Sequence, residues 1–424
     1  MNCRFCKEPL ESKFVDLVNC PPSNDFLSYY QLNEPETYYP LTIYVCTNCY
    51  LVQVDEYKKA TDIFNNEYVY FSSYSKSWVE HARLYVEEMV ERFKFNENSF
   101  VIEIASNDGY LLQHFTNKGV PVLGIEPTKN TANVAVLKGI PTITEYFGSD
   151  FAVKLKNQRK KGNLLIGNNV LAHVPDINDF VEGLKISLRK SGVITMEFPH
   201  LLRLVEYCQF DTIYHEHYSY LSFTTVKKIF ESHALEMFDV QETPTHGGSL
   251  RIFAKHKKDT GKEISSNVKA MLEKELKAGI TTPEYYQNFQ ARVDNIKYQA
   301  LSFLIEQKKE KKKVIAYGAA AKGNTLLNYA GIKGNDLIEF VVDAAPSKQG
   351  KFLPGSHIPV YDETKIKECR PDFIIIFPWN LKEEIMEQLS YVSEWGCQFV
   401  VFIPRVQIIH SNLFKENNAE NNAA

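Results

Sequence analysis

Short apolar runs recur from about residue 70 to 255, with helix-like stretches between them. The runs are Phe100–Ile104, Val122–Ile125, Leu164–Ile166, Val193–Glu197 and Leu250–Ala254. This rhythm predicts βαβ units around a largely parallel sheet. From about 260 to 312 apolar positions return every three or four residues among polar ones, which predicts helix. A second alternating region follows, with strands expected at Val314–Tyr317, Ile338–Val342, Phe373–Phe377 and Phe399–Ile403. It reads as a smaller open α/β sheet. Residues 1 to about 60 show neither rhythm. They hold short apolar runs, turn residues and five of the eight cysteines.

The chain of 424 residues has room for two or three domains. Four segments are expected: 1–65, 66–258, 259–414 and a polar, disordered tail at 415–424. Charge changes the picture by exclusion. The net charge of −4 gives no basic face for nucleic acid. The one basic cluster, Lys308–Lys313, suits a solvated helix C-terminus. No apolar run approaches a membrane span and the first residues carry no signal-peptide pattern, so a cytoplasmic protein without membrane partners is expected. Cysteines there serve as thiols or metal ligands. The sequence leaves the oligomeric state open.

Cys3 and Cys6 form one C-x-x-C pair, and Cys46 and Cys49 form another. Two such knuckles predict a closed tetrahedral Cys₄ site holding a structural zinc ion. A redox pair is the competing use of this spacing. The metal would stand in for the core that a segment of ~50 residues cannot build. Cys20 has no partner at knuckle spacing and reads as a buried thiol.

Val101–Leu112, VIEIASNDGYLL, is a strand ending in an acid, Glu103, then a loop of small residues, then a helix starting near Tyr110. Gly109 supplies a tight turn. This is the shape of the first motif of methyltransferases that use S-adenosylmethionine (SAM). Ala105 and Asn107 stand where those enzymes commonly have glycine. The dinucleotide fingerprint G-x-G-x-x-G is absent. The next strand ends in Glu126, placed to accept ribose hydroxyls, and Pro127 follows. GNNVLAHVPD (Gly167–Asp176) then sits where such enzymes place the fourth strand and the loop beneath the cofactor. The expected cofactor contacts are Glu103, Ala105, Ser106, Asn107, Gly109, Tyr110, Glu126, Pro127, Asn168, Asn169 and His173.

Tyr214–Ser222, YHEHYSYLS, packs two His, one Glu and three Tyr into nine residues, a density that is costly unless used. A metal site through His215 and His217 is one alternative. The metalloprotease pattern H-E-x-x-H fails at Ser219. In the C-terminal region YGAAAKGNTLLN (Tyr317–Asn328) follows a strand and opens a helix, an arrangement suited to a diphosphate. It is not a Walker A loop, because Asn324 and Thr325 follow Gly323. Lys322 is placed to pair with phosphate and Asp343 to meet a ribose or base.

These motifs in this order resemble the sugar C-methyltransferases that act on nucleotide-linked 4-keto-deoxysugars. The likeness runs over nearly the whole chain and takes in the zinc knuckles, YFSSYS (Tyr70–Ser75), EIASNDGYLL, GNNVLAHVPD, DTIYHEHYSYLS, THGGSLR (Thr245–Arg251), YGAAAKGNTLLN and VDAAPSKQGKFLPGSHIPV (Val342–Val360). The resemblance implies an α/β chain with a small N-terminal zinc-binding module, a central Rossmann-like SAM-methyltransferase domain and a second Rossmann-like α/β domain. It implies catalytic roles for Tyr214, Glu216 and His217, for His173 after the fourth strand, and for Tyr70. It also implies that the central and C-terminal domains together hold the nucleotide sugar, linked to dTDP, GDP, CDP or UDP. Tyr70, Ser73, Gly318, Lys322, Asn324 and Asp343 are the expected substrate contacts.

The chemistry agrees with these residues. A carbon accepts a methyl group as a carbanion, and a hydrogen beside a ketone is acidic because the enolate delocalises onto oxygen. The site therefore needs a base near neutral pKa and donors aimed at the oxyanion. His217 suits the base, with Glu216 orienting it or sharing the proton. Tyr214, Tyr70 and His173 are candidates to donate to the enolate or to position the sugar. Carbon 3 is the expected acceptor, although carbon 5 also adjoins a 4-ketone. The competing readings are an NAD-dependent sugar oxidoreductase, an O- or N-methyltransferase and a non-catalytic nucleotide-sugar-binding protein.

Overall fold

The computed structural model describes residues 1–64 and 70–410. The tail expected at 415–424 lies outside the described residues. In chain order the strands are β1 Ser12–Cys20, β2 Tyr39–Val45, β3 Val52–Val54, β4 Val101–Ile104, β5 Val122–Ile125, β6 Thr142–Ile143, β7 Gly162–Asn168, β8 Leu188–Pro199 and β9 Ser219–Tyr220. They continue as β10 Leu235–Thr243, β11 Ser249–His256, β12 Val314–Tyr317, β13 Val341–Val342, β14 Val360–Tyr361, β15 Phe373–Ile376, β16 Gln398–Val401 and β17 Gln407–His410. The helices Ser266–Ala278 and Phe289–Lys309 account for the helical stretch expected from 260 to 312. The run Lys308–Lys313 straddles the end of the second.

The chain forms two compact units. One comprises Met1–Ser12, Tyr44–Leu202 and Glu216–Tyr286; the other comprises Lys13–Ile43, Arg203–His215 and the chain from Gln287 onward. The cysteine knuckles belong to the first unit, because β3 pairs antiparallel with β9 and Leu10 and Leu51 join the core of the large sheet.

In the first unit the sheet order is β10-β11-β8-β7-β4-β5-β6. β4, β5, β6, β7 and β8 run parallel, and β11 is antiparallel to both of its neighbours. Alternate residues serve two cores. Ile102, Ile104 and Leu165 enter one, while Val101, Leu164 and Ile166 enter the other. Burial of both faces explains why the strands read as unbroken apolar runs. The strand order reverses between β4 and β7. Ligands of open α/β sheets bind beyond the carboxyl ends of the strands at such a point.

The second unit carries the sheet β14-β13-β12-β15-β16-β17, parallel from β14 to β16 with β17 antiparallel. Ile315, Tyr317, Ile374, Ile376, Phe399 and Val401 form its core on one face. Its order reverses between β12 and β15. Of the expected strand Ile338–Val342, only Val341–Val342 is strand.

Candidate active site and metal centre

The four knuckle cysteines converge. The sulfurs of Cys3, Cys6, Cys46 and Cys49 all lie within 4.8 Å of one another, with Cys3–Cys49 and Cys6–Cys46 each at 3.5 Å. Tetrahedral zinc with Zn–S bonds of ~2.3 Å spaces its sulfurs by roughly 3.8 Å, so the cluster fits the ion. Gln53 Nε2 approaches Cys3 Sγ at 3.3 Å, a contact of the kind that orients a metal ligand. Among the described residues this is the one group of ligating side chains close enough for an ion. His215 is engaged elsewhere: its Nε2 donates to the Pro40 carbonyl at 3.2 Å. Burial pushes the Cys20 thiol up to about 12, as suits an inert thiol.

At the first reversal point the loop after β4 turns through left-handed residues at Ala105 (φ 57°), Asn107 (φ 50°) and Gly109 (φ 77°). The two residues standing in for glycine thus adopt backbone angles that favour glycine. A Cβ on Gly109 would sit 3.1 Å from Ile140 Cγ1. These turns delay the helix, which spans Leu112–Thr116 and leaves Tyr110 in the turn.

Several buried polar atoms around this loop have no protein hydrogen-bond partner among the described residues. They are both carboxylate oxygens of Glu103, Ser106 Oγ, Asn168 Nδ2 and Asn169 Oδ1. Burial, with Glu126 and Asp108 nearby, pushes the Glu103 carboxyl well up. Orphaned buried groups are uncommon and call for a ligand or water. A nucleoside with a cationic amino-acid arm supplies donors and acceptors of these kinds, so the residues fit SAM. Glu126 is held more tightly. Its oxygens accept from Asn107 N at 2.8 Å, Thr128 N at 2.9 Å and Thr128 Oγ1 at 2.5 Å. Pro127 is half-buried beside it.

The YFSSYS segment is fastened to the same loop. Ser72 N donates to Asn107 Oδ1 at 2.9 Å and Asn107 Nδ2 donates to the Tyr70 carbonyl at 3.2 Å. Ser73 Oγ donates to Asp108.

His173 ends a short turn, Leu171–His173, after β7. The histidine rings of His173 and His217 meet edge to face with centroids 4.6 Å apart. His173 Nδ1 lies 2.8 Å from the backbone carbonyl of Glu216. Burial pushes its pKa down to about 4, so the ring is neutral at physiological pH. A carbonyl only accepts, so the single proton sits on Nδ1 and Nε2 carries a lone pair. Tyr214 falls in the stretch Arg203–His215 of the second unit, whereas Glu216 and His217 belong to the first. The segment ends at Ser222, which caps the helix Phe223–Ser232 by accepting from Thr225 N at 3.1 Å.

In the second unit the loop Gly318–Ala320 leads from β12 to the helix Ala321–Ala330. Gly318 (φ 90°) has no room for a side chain, since a Cβ would lie 2.5 Å from Pro378 Cδ. Lys322 Nζ donates to Asn380 and stands 4.3 Å from the centre of the Trp379 ring. Burial pushes this lysine down to about 8, while Asp211 works against that shift. Asp211 in turn accepts from Trp379 Nε1 at 2.7 Å. Asn324 is fully buried, and its Nδ2 has no partner among the described residues. Asp343 accepts from Ala345 N at 2.8 Å and Lys348 Nζ at 3.1 Å, so it also holds its own turn.

A C-methyltransferase C-terminal domain model matches residues 244–404, a zinc binding domain model residues 3–64 and a methyltransferase domain model residues 78–240. C-methyltransferase NovU of Streptomyces niveus is 32% identical over 407 residues, covering 96% of each chain. The chain belongs to the SAM-dependent C-methyltransferase family. Solved structures similar over less of the chain include magnesium protoporphyrin IX methyltransferase of Synechocystis PCC 6803 with bound SAM. It is 14% identical and covers 42% of this chain and 78% of its own, with a TM-score of 0.32. Another is PH0226 of Pyrococcus horikoshii, 14% identical over 45% of this chain and 95% of its own, with a TM-score of 0.37.

In this C-methyltransferase, family membership sets aside the oxidoreductase and non-catalytic readings. No helix among the described residues is long and apolar enough to cross a membrane. The structure also reveals a network that motif reading missed, because its members lie far apart in sequence. Glu197, at the end of β8, binds His81 Nε2 at 2.8 Å, Thr245 Oγ1 at 2.9 Å and Arg251 Nη2 at 2.8 Å. The Trp78 ring stacks on His81 and lies beside Tyr110 and His246. His246 (φ 54°) reaches Asn169 Nδ2 at 2.7 Å. The THGGSLR segment, which carries Thr245, His246 and Arg251, was the available sequence signal.

Burial would raise the Glu197 pKa, but His81 and Arg251 outweigh it and hold the group at about 2. Its stabilisation is present above the ordinary value of 4.5 and is lost as pH falls through about 2. The span corresponds to about 3 kcal/mol. Glu197→Gln is therefore expected to flatten the acid limb of a Tm–pH curve below about pH 4.5. An unchanged acid limb would refute the assignment.

Proposed function

We propose that the enzyme methylates a nucleotide-linked 4-keto-deoxysugar at the carbon beside the ketone, carbon 3, through an enolate. The observation that carries this reading is the pairing of His217 with a neutral His173. A base in contact with a second imidazole that does not take up a proton near neutral pH suits removal of a hydrogen from carbon. SAM supplies a methyl group already activated by its positive sulfur.

His217 takes the proton from the acceptor carbon. Glu216 anchors His173 through its backbone carbonyl, and Tyr70 donates toward the enolate oxygen. The loops carrying Glu103–Tyr110, Glu126–Pro127 and Asn168–Asn169 hold SAM, with the orphaned polar atoms taking its polar groups. Ser73 orders the Tyr70 segment through Asp108. The first turn of the helix Ala321–Ala330 takes the diphosphate, with Lys322 turning from Asn380 toward it. Asn324 and Asp343 complete the nucleotide contacts.

Incubation with SAM and a panel of nucleotide 4-ketosugars, read by mass spectrometry, tests the substrate class. Methyl addition to at least one 4-ketosugar and to none of the corresponding 4-hydroxy sugars is expected. The reverse preference would overturn the reading. Lys322→Ala is expected to weaken binding of the nucleoside diphosphate about tenfold by calorimetry. Unchanged affinity would remove Lys322 from the site.

A further inference from the structure

We propose that Arg4, inside the first cysteine knuckle, is a positioning residue for the histidine pair His173–His217; this rests on the reading that the pair serves proton transfer. Arg4 lies between Cys3 and Cys6, and its backbone is held by the metal cluster's own frame. Its N donates to Gln53 Oε1 at 2.8 Å, and the same glutamine reaches Cys3 Sγ. Its guanidinium reaches the neighbours of both histidine segments.

Nη1 donates to the carbonyl of Pro175 at 2.7 Å, two residues beyond His173. Nη2 donates to the carbonyl of Val54 at 2.5 Å, and Val54 N donates to the Tyr218 carbonyl at 3.2 Å. The guanidinium carbon also lies 5.4 Å from the centre of the Tyr218 ring. Tyr218 directly follows His217. One planar cation thus ties both histidine segments to the knuckle. Asn178 Nδ2 completes the link by donating to the Phe5 carbonyl at 2.9 Å.

The segments need such a tie. The first is a single turn, and the second leads into β9, which is two residues long. Neither is fixed by regular structure of its own, yet the ring contact and the His173–Glu216 bond demand a defined separation. A misplacement of ~1 Å in a catalytic group can cost about 10²-fold in rate. The rigid fork of arginine suits two carbonyls in different directions, whereas the point charge of lysine serves one of them at a time.

The test uses the zinc-loaded full chain with all four cysteines in place, comparing Arg4→Met and Arg4→Lys with the unmodified enzyme. Arg4→Met is expected to keep its zinc and its Tm, and KM for SAM within about twofold, while kcat falls about 10–100-fold. The His173 Nδ1–H resonance, followed by NMR in the resting enzyme, is expected to shift or broaden. Arg4→Lys is expected to recover part of kcat. Unchanged kcat with an unchanged resonance overturns the proposal. Loss of zinc or fold in Arg4→Met overturns it unless Arg4→Lys, folded and zinc-loaded, shows the reduced kcat at unchanged KM. His217→Asn separates the two claims. Full proton exchange in that variant sinks the reading of the histidine pair, whereas lost exchange there beside normal kcat in Arg4→Met sinks only the role of Arg4.

Discussion

His217→Asn is expected to cut solvent deuterium exchange at the carbon beside the ketone by about 10²–10⁴-fold, the range for loss of a general base. SAM binding should survive, because the loops proposed to hold the cofactor follow β4, β5 and β7 and are not part of this segment. The comparison with Glu216→Gln adds resolution. Glutamine keeps the backbone carbonyl that orders His173, so that bond persists in the variant. A loss of exchange in Glu216→Gln therefore reports on the carboxylate itself. A loss confined to His217→Asn assigns the proton to His217 alone. Full exchange in both variants would disqualify the pair as the base.

Removal of the metal should have the second large effect. Cys46→Ser, or exhaustive chelation, takes away one of four ligands from a cluster whose sulfurs are buried or half-buried. Structural zinc sites contribute folding energy outright, and loss of a metal belongs to the changes that cost more than about 4 kcal/mol. The damage should reach beyond the knuckles. β3 pairs with β9 immediately after His217, and Thr225 Oγ1 donates to the Cys49 carbonyl at 3.1 Å. A metal-free chain is therefore expected to lose both Tm and turnover. A metal-free preparation, verified by mass spectrometry, with an unchanged Tm would show the site to be dispensable.

The sequence disclosed what is local. β5 and β12 fall where their apolar runs predicted, and the knuckle spacing led to a cluster of four sulfurs. The substitutions for glycine at Ala105 and Asn107 were read as departures from the motif, and both positions are left-handed all the same. Long-range features were not legible. Within the first unit, β3 beside the knuckles pairs with β9 some 165 residues later, which no periodicity encodes. The cluster of His81, Glu197 and Arg251 depends on the register of β8 with β11 and on a helix far upstream. The tautomer of His173 was equally hidden, because it follows from a backbone carbonyl and not from any side chain in the motif.

The central claim is that the methyl group lands on carbon next to a ketone. NMR of the product formed from methyl-labelled SAM and a nucleotide 4-ketosugar tests it directly. The account predicts a new carbon–carbon bond at carbon 3, with the hydrogen of that position released to solvent. A methyl group found on oxygen or nitrogen, or on a carbon not adjoining the ketone, would contradict it.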